Sequence, residues 1–251
     1  YIDTAPFYGF GLSEHRVGSF LSQRPRQEFV LSTKVGRVLK APKVKAGFKA
    51  PLFVGGLPYD HVFDYSYDTG SYFTDERKYV MDQAAYAFES RLGGETFGSL
   101  NPADYPGSTA SFSLSITNPT TGGSVSINSN TTTSEGNQVG SPNEILIFLG
   151  AKAAPTQTYL ARAGAGYSIG SGFAPSYPFI DYFNDTRNSN SNYDSIGGAI
   201  TVNSFYSFYA DTDLTLSADA TSSGLSDFYS VMVHEIGHIM GFSNSWNAWQ
   251  A

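Results

Sequence analysis

The spacing of apolar residues predicts a helix and several strands in residues 71–251. Apolar side chains recur at helical spacing after Thr74, so we expect a helix that Thr74 caps and that Gly93 and Gly94 end. SFSLSIT (111–117) alternates apolar and polar residues and predicts a half-buried strand, and EILIFLGAK (144–152) predicts a buried strand. Residues 197–211 predict one more strand, and residues 159–165 predict a short helix.

A second helix is predicted near the end of the chain, in LSDFYSVMVHEIGHIMGF. Ser226 suits the N-cap, Asp227 suits the first turn, and Gly241 suits the residue at which the helix stops. The polar stretch before it, residues 181–196, is predicted to be a loop. Its aspartates, Asp181, Asp185 and Asp194, could hold a cation, but without regular calcium spacing a solvated loop is the favoured interpretation.

The first 70 residues follow a different pattern. YIDTAPFYG indicates the end of a strand and a loop, a helix is predicted from about Ser13, and residues 29–33 are predicted to be a short buried strand. A strand, a helix and a strand at this spacing form a βαβ unit, which favours a parallel sheet.

Charge divides the chain at the same place. Residues 1–70 carry nine Lys/Arg and six Asp/Glu, a net charge of +3, whereas residues 71–251 carry six and sixteen, a net charge of −10, and together they give −7. This change indicates two segments of different origin, although a lysine-rich loop beside an ordinary acidic domain would also produce it. The chain has no cysteine, which excludes disulfides and thiolate metal sites, and no apolar run long enough to span a membrane.

Three motifs in the first segment resemble the aldo-keto reductases: DTAPFYGFGLSE, STKVGR and FVGGLPYDHVFDYSYD. The resemblance implies a TIM barrel and hydride transfer from a nicotinamide cofactor, NADP, with Asp3, Tyr8 and Lys34 at the matching positions. In that chemistry the tyrosine protonates the carbonyl oxygen, the lysine lowers the tyrosine pKa, and the aspartate orients the lysine. The family's histidine has no counterpart, and two βα units cannot close a barrel of eight, so we expect remnants without reductase activity.

The helix near the chain end carries the residues for metal-assisted hydrolysis. His234 and His238 are four residues apart and therefore lie on one helical face, where both imidazoles can reach one zinc ion. Glu235 is placed to act as general base toward the attacking water. Two histidines brought together by chance are the alternative.

This HExxHxxG stretch resembles the zincin metallopeptidases, and more closely the matrixin-like metzincins. With the GGAIT strand, the DFYSVMVHEIGHIMGF helix and the SW pair, the segment is also similar to bacterial exported proteins. The metzincin pattern places a third histidine at the position of Asn244, which is a poor zinc ligand. We therefore expect the third ligand to lie beyond residue 251 or to be another residue. The domain is expected to be incomplete at its C-terminus, and the start at Tyr1, inside a motif, indicates a missing N-terminus.

Taken together, the sequence predicts an α+β chain. A TIM-barrel βαβ fragment (1–70) precedes a zincin-like domain (71–251) with a mixed sheet and the HExxH helix. The expected activity is zinc-dependent peptide-bond hydrolysis of a peptide or protein substrate, without nucleic-acid partners. The alternatives are an aldo-keto reductase and a non-catalytic, exported, β-rich surface module. The peptidase segment is expected to be secreted or on the cell surface, and a reductase would be cytoplasmic. The join near residue 70 is interpreted as a misassembled or recombinant reading frame rather than a natural fusion.

Overall fold

The computed structural model describes residues 2–4, 21, 31–33, 59–89, 97–170, 178–186, 195–210 and 225–242. These residues form a mixed α+β structure. The strands are β1 (Ile2–Thr4), β2 (Leu31–Thr33), β3 (Asp60–Asp64), β4 (Ser111–Thr117), β5 (Ser124–Asn128), β6 (Glu144–Lys152), β7 (Ala161–Gly164), β8 (Gly166–Gly170), β9 (Gly198–Asn203), β10 (Phe208–Tyr209) and β11 (Ser226–Asp227). The α-helices are α1 (Asp75–Glu89), α2 (Pro178–Thr186) and α3 (Phe228–Ile239), and a 3-10 turn spans Pro102–Asp104.

In the first segment, β1 and β2 pair in parallel, with Ile2 opposite Leu31 and Asp3 opposite Ser32. Parallel pairing requires a crossover connection. Of the helix predicted from about Ser13, the described residues include only Leu21, which is helical, and the rest of that prediction lies outside them.

The central sheet has the order β3-β6-β9-β7. The strands β3, β6 and β9 run parallel, and β7 pairs antiparallel with β9 at the edge of the sheet as far as the described residues define it. Six consecutive residues of β6, Ile145–Gly150, are buried, as its apolar run predicts for a strand covered on both faces.

Two layers cover this sheet. On one face α1 and α3 pack over Ile145, Ile147 and Ile200, forming the larger apolar core. On the other face a three-stranded antiparallel sheet, β5-β4-β8, packs together with α2 over Leu146 and Phe148. Because neighbouring side chains along β6 and β9 point to opposite faces of the sheet, these two strands contribute residues to both cores. Within the described residues no helix is both long and apolar enough to cross a membrane.

Several expectations from the sequence agree with these elements. The strands β4 and β6 have the predicted bounds, β4 with the alternating burial that its pattern predicts. Helix α1 follows Thr74 directly, and the Thr74 C=O accepts the Lys78 N–H at 2.9 Å, as an N-cap residue does. The predicted stop of this helix at Gly93 and Gly94 lies outside the described residues.

Two predictions of element type are wrong. Residues 161–164, in the stretch predicted to be helical, form strand β7, because pairing with β9 outweighs the helix propensity of a short Ala-rich segment. Residues 178–186, part of which was predicted to be a loop, form helix α2, because burial of Phe179 and Phe183 against the three-stranded sheet stabilises a helix there.

The pairing of strand β3 bears on the predicted boundary at residue 70. Strand β3, which was assigned to the first segment, pairs along its whole length with β6, Asp60 opposite Glu144 and Asp64 opposite Phe148. Asp64 is fully buried and accepts hydrogen bonds from Ser66, Thr133 and Asn137. Residues 60–64 are thus part of the central sheet, and the division of the chain near residue 70 stays a prediction.

Candidate metal site

Helix α3 is held at its N-terminus by Asp227. The Asp227 carboxylate accepts hydrogen bonds from the backbone N–H groups of Tyr229 and Ser230, at 3.2 and 3.0 Å, so Asp227 is the N-cap. The expectation that Ser226 fills this position is wrong by one residue. Residues 226–227 also pair in parallel with 208–209 as strand β11, which fixes the direction from which the chain enters the helix.

The C-terminus of α3 ends in a glycine turn that orients His238. Gly241 has φ +86°, and the Gly241 N–H donates to the His238 C=O while the Phe242 N–H donates to the Gly237 C=O. This is the Schellman arrangement, for which a left-handed glycine is favoured. The turn brings the Phe242 C=O to 3.0 Å from His238 Nδ1. A carbonyl only accepts hydrogen bonds, so this contact places a proton on His238 Nδ1, and Nε2 is the nitrogen that faces His234.

The two histidines converge, as their spacing predicts. His234 Nε2 and His238 Nε2 are 3.0 Å apart, and the two rings are nearly perpendicular. Each Nε2 could lie about 2.0–2.1 Å from a single zinc ion at this separation, so the pair fits two corners of such a site. His234 is exposed and His238 is half-buried, which leaves the site accessible from solvent.

Glu235 is buried beneath the pair, at 5% exposure. Its carboxylate accepts a hydrogen bond from the backbone N–H of Ala163 on strand β7. Burial raises the pKa of Glu235, and the two histidines, the Ala163 N–H and Arg162 partly offset this increase. A carboxylate with a raised pKa is a better proton acceptor near neutral pH than an ordinary exposed one.

Buried polar contacts under α3 support this geometry and were not predicted. Ser195 Oγ donates to the Ile239 C=O at 2.8 Å. His61 Nδ1 lies 2.9 Å from Glu89 Oε1, and His61 Nε2 lies 3.3 Å from Met240 Sδ. His61 does not match the catalytic histidine of the reductase family, and here it contacts Glu89 of α1 and Met240 at the end of α3. Only the fold brings these groups together, so no local sequence signal identifies them.

The described residues hold no group of three His, Cys, Asp or Glu side chains that could bind a metal ion. Asn244, at the metzincin position for a third ligand, lies outside the described residues. Of the suggested cation ligands, Asp181 and Asp185 lie on α2 and Asp194 is not described. The third zinc ligand is therefore unassigned.

The reductase-like positions are described only in part. Asp3 lies in β1, and its backbone pairs with Ser32 of β2. Tyr8 and Lys34 lie outside the described residues, so whether the three side chains share a site stays a prediction.

Comparison with known proteins gives two short similarities, both to dehydrogenases. A D-threo-aldose 1-dehydrogenase from Pseudomonas sp is 65% identical over 40 residues, which is 16% of this chain and 12% of that enzyme. A pyridoxal 4-dehydrogenase from Microbacterium luteolum is 43% identical over 76 residues, 27% of this chain and 22% of that enzyme. The chain thus spans less than a quarter of the length of either relative. No family model and no solved structure matches it.

These similarities support the aldo-keto reductase-like fragment of the chain. They give no support to the zincin resemblance, which depends on the HExxH residues and their geometry.

Proposed function

We propose that residues 59–251 form a zinc-dependent hydrolase of peptide bonds. The observation that carries this proposal is the 3.0 Å separation of His234 Nε2 and His238 Nε2 on α3, beside a buried glutamate. The orientation of His238 by the Phe242 carbonyl supports it, because histidine ligands usually donate their second nitrogen to such a partner.

In this proposal His234 and His238 would hold the zinc ion, together with a ligand from outside the described residues. A bound zinc ion would act as a Lewis acid and lower the pKa of water to about 7. Glu235 takes a proton from the attacking water and returns it to the leaving amine nitrogen as the C–N bond breaks. Its raised pKa suits both transfers.

The first test is the zinc content of the purified chain, measured by elemental mass spectrometry after dialysis against zinc. We expect about one zinc per chain, lost in His238→Ala because one of the two nitrogen ligands is removed. His15→Ala, outside the pair, is the matched control and should keep its zinc. A metal-free wild-type chain, or equal loss in both variants, would contradict the metal site.

A second variant separates metal binding from catalysis. Glu235→Gln should keep the zinc and lose peptide cleavage about 10²–10⁴-fold, because the amide cannot take the proton. Cleavage of a casein substrate at the wild-type rate would show that Glu235 is not the base.

The two dehydrogenase similarities favour a second candidate, nicotinamide-dependent oxidation or reduction in the first segment. Asp3, Tyr8 and Lys34 would serve this reaction, with NADP as cofactor. A fluorescence titration with NADPH tests it: saturable binding, together with reductase activity lost in Tyr8→Phe, would support a working reductase. Absence of binding would leave the fragment without that function.

The expected substrate and cellular location differ between the two candidate functions. The substrate of the hydrolase is a peptide or protein, export accompanies the hydrolase, and a cytoplasmic location accompanies the reductase.

A further inference from the structure

A cavity of about 630 Å³ lies between strand β7 of the central sheet and strand β4 of the three-stranded sheet. Ala199 and Thr201 of β9 line it, whereas Ile200 and Val202 pack in the core beneath α3. Because neighbouring strand residues point to opposite faces, the cavity lies on the face of the sheet away from the two histidines. A ligand in this cavity would therefore not occupy the proposed zinc site.

The register of the central sheet places two cations on the cavity face. Arg162 of β7 is opposite Thr201 of β9, and Thr201 is opposite Gly150 of β6, so these three residues share one face. Lys152 lies two residues beyond Gly150 on the same strand and shares that face too. Two strand spacings and two residues separate the α-carbons of Lys152 and Arg162, which corresponds to about 12 Å. The two cations are thus far enough apart to bind two separate acid groups.

The lining of the cavity combines positive charge with hydroxyl groups. Of the four Lys and Arg side chains in the described residues, Lys152 and Arg162 line the cavity, and no Asp or Glu does. In a chain of net charge −7 this gives a region of opposite sign, which favours an anion. Hydroxyl groups donate and accept hydrogen bonds, so they suit a ligand that carries hydroxyl groups itself. The hydroxyl-bearing residues of the lining are Ser115, Thr117, Ser124, Tyr159 and Thr201.

Both cations are held by uncharged groups. Lys152 Nζ donates to the Thr121 C=O at 3.1 Å, in the turn between β4 and β5. The Arg162 guanidinium lies 5.0 Å from the centre of the Tyr159 ring. These contacts leave both charges in place, and they reduce the conformational freedom that a ligand would otherwise have to remove.

Small residues leave one side of the cavity open. Residues 163–166 have the sequence Ala-Gly-Ala-Gly, and all four line it. Gly164 is opposite Ala199 and therefore on the cavity face, and a β-carbon added there would meet nothing within 4 Å. A stretch without large side chains lets a ring-shaped ligand approach the backbone closely.

We propose that this cavity binds an acidic saccharide, whose carboxylates pair with Arg162 and Lys152 and whose hydroxyl groups bond to the Ser, Thr and Tyr residues of the lining. A guanidinium can bind a carboxylate through two parallel hydrogen bonds, and a lysine binds it as a point charge. The volume lies in the range of small-molecule sites and exceeds what a single inorganic anion needs. This inference is independent of the proposed hydrolysis, because the cavity and the histidine pair lie on opposite faces of the sheet.

The test is isothermal titration calorimetry of the full chain, freed of metal by dialysis against a chelator, with the trimer of galacturonic acid. The fully methyl-esterified trimer is the matched probe, because it keeps the rings and hydroxyl groups and lacks the charges. At low salt we expect the acid to bind at least about tenfold more tightly than the ester, as for two solvent-exposed ion pairs. Arg162→Gln combined with Lys152→Gln should bring this ratio below about twofold. Lys78→Gln, on α1 and outside the cavity, is the control for net charge and should keep the tenfold ratio.

A second variant tests the position of the site without changing any charge. Gly164→Leu places a side chain in the cavity and should weaken binding of the acid at least about tenfold. Gly70→Leu is the matched control, because a β-carbon at Gly70 also meets nothing within 4 Å and Gly70 lies outside the cavity. It should bind the acid as the wild type does. Thermal unfolding checks that both variants fold, and the charge variants decide the question if Gly164→Leu does not.

A third probe distinguishes a saccharide from a simple diacid. Adipate has two carboxylates and no hydroxyl groups, and we expect it to bind more weakly than the trimer. Equally tight binding of adipate would overturn the assignment to a saccharide. Absence of measurable trimer binding, equal binding of acid and ester by the wild type, or unchanged binding in a folded Gly164→Leu chain would overturn the site.

Discussion

Asp82 lies partly buried on α1 and carries the largest defined shift of a carboxyl pKa in the described residues. Burial, with the charges of Asp60 and Glu89, raises its pKa to about 7. In the unfolded chain the pKa would be about 3.9. Between these values the folded state binds more protons than the unfolded state, so the free energy of unfolding falls as pH rises toward 7.

Replacing Asp82 with Asn should remove this dependence. At pH 8 we expect the free energy of unfolding to rise by about 1–2 kcal/mol relative to the wild type, after allowing for solvent screening at a partly exposed site. Near pH 4 the two chains should be equally stable. Urea unfolding at pH 4, 6 and 8 measures this, with the exposed Glu144→Gln as control. Parallel stability curves for Asp82→Asn and the wild type would contradict the raised pKa.

At the residue scale, the sequence alone predicts His234, Glu235 and His238 as site residues, because their relation depends only on spacing within one helix. It does not predict the contacts of Ser195, Ala163 or His61 with α3. These residues meet α3 from other elements, through a loop, an edge strand and β3, so their roles depend on tertiary contacts.

At the scale of elements, α3 is held closely against the start of β9. A β-carbon added at Gly198 would lie 2.5 Å from Ile239 Cδ1 and 2.9 Å from the Gly164 backbone oxygen. The same addition at Gly237, within α3, would meet the Phe88 ring at 3.7 Å, an ordinary contact.

Gly198→Ala should therefore lower the free energy of unfolding by about 1–3 kcal/mol, because the β7 backbone or Ile239 must shift. Gly237→Ala should be neutral or stabilise the chain by up to about 1 kcal/mol, because alanine favours the helix over glycine. Thermal unfolding followed by circular dichroism compares the two. Equal melting temperatures for both variants would show that α3 tolerates displacement at this point.

Elements with a strong local pattern were predictable, and weakly patterned ones were not. The strands β4 and β6 and helices α1 and α3 have long apolar repeats, which tertiary packing reinforces. ARAG in β7 has neither branched nor aromatic residues, and its strand conformation depends on β9 beside it. The N-cap of α3 is Asp227, one residue after the predicted Ser226, because serine and aspartate are both suitable caps.

At the scale of the whole molecule, the role of β3 was not predictable, because parallel pairing with β6 joins residues about 80 positions apart. The sequence motif assigned residues 60–68 to the reductase-like segment, whereas the sheet includes residues 60–64. Burial of Tyr59 at 1% exposure and of Asp64 at 0% places this strand within the central unit.

This pairing predicts different outcomes for two shortened chains. A chain that starts at Tyr59 should unfold cooperatively in urea, because it keeps β3. A chain that starts at Ser71 should lose cooperative unfolding, because the edge of β6 and the core around Tyr59 become exposed. Circular dichroism with dye binding to exposed apolar surface measures both. Cooperative unfolding of the shorter chain would support the predicted boundary at residue 70.

The hydrogen bond from Ala163 to Glu235 also bears on how copies of this protein meet one another. A strand at the edge of a sheet offers its free backbone groups to any neighbouring strand, including the same strand of a second copy. On β7 one outward donor is already occupied by Glu235, and the exposed Arg162 lies in the middle of the strand. Edge-to-edge association would have to displace the carboxylate and bring two arginines together. An edge with an occupied donor and an exposed arginine is thereby protected against self-association and fibre growth.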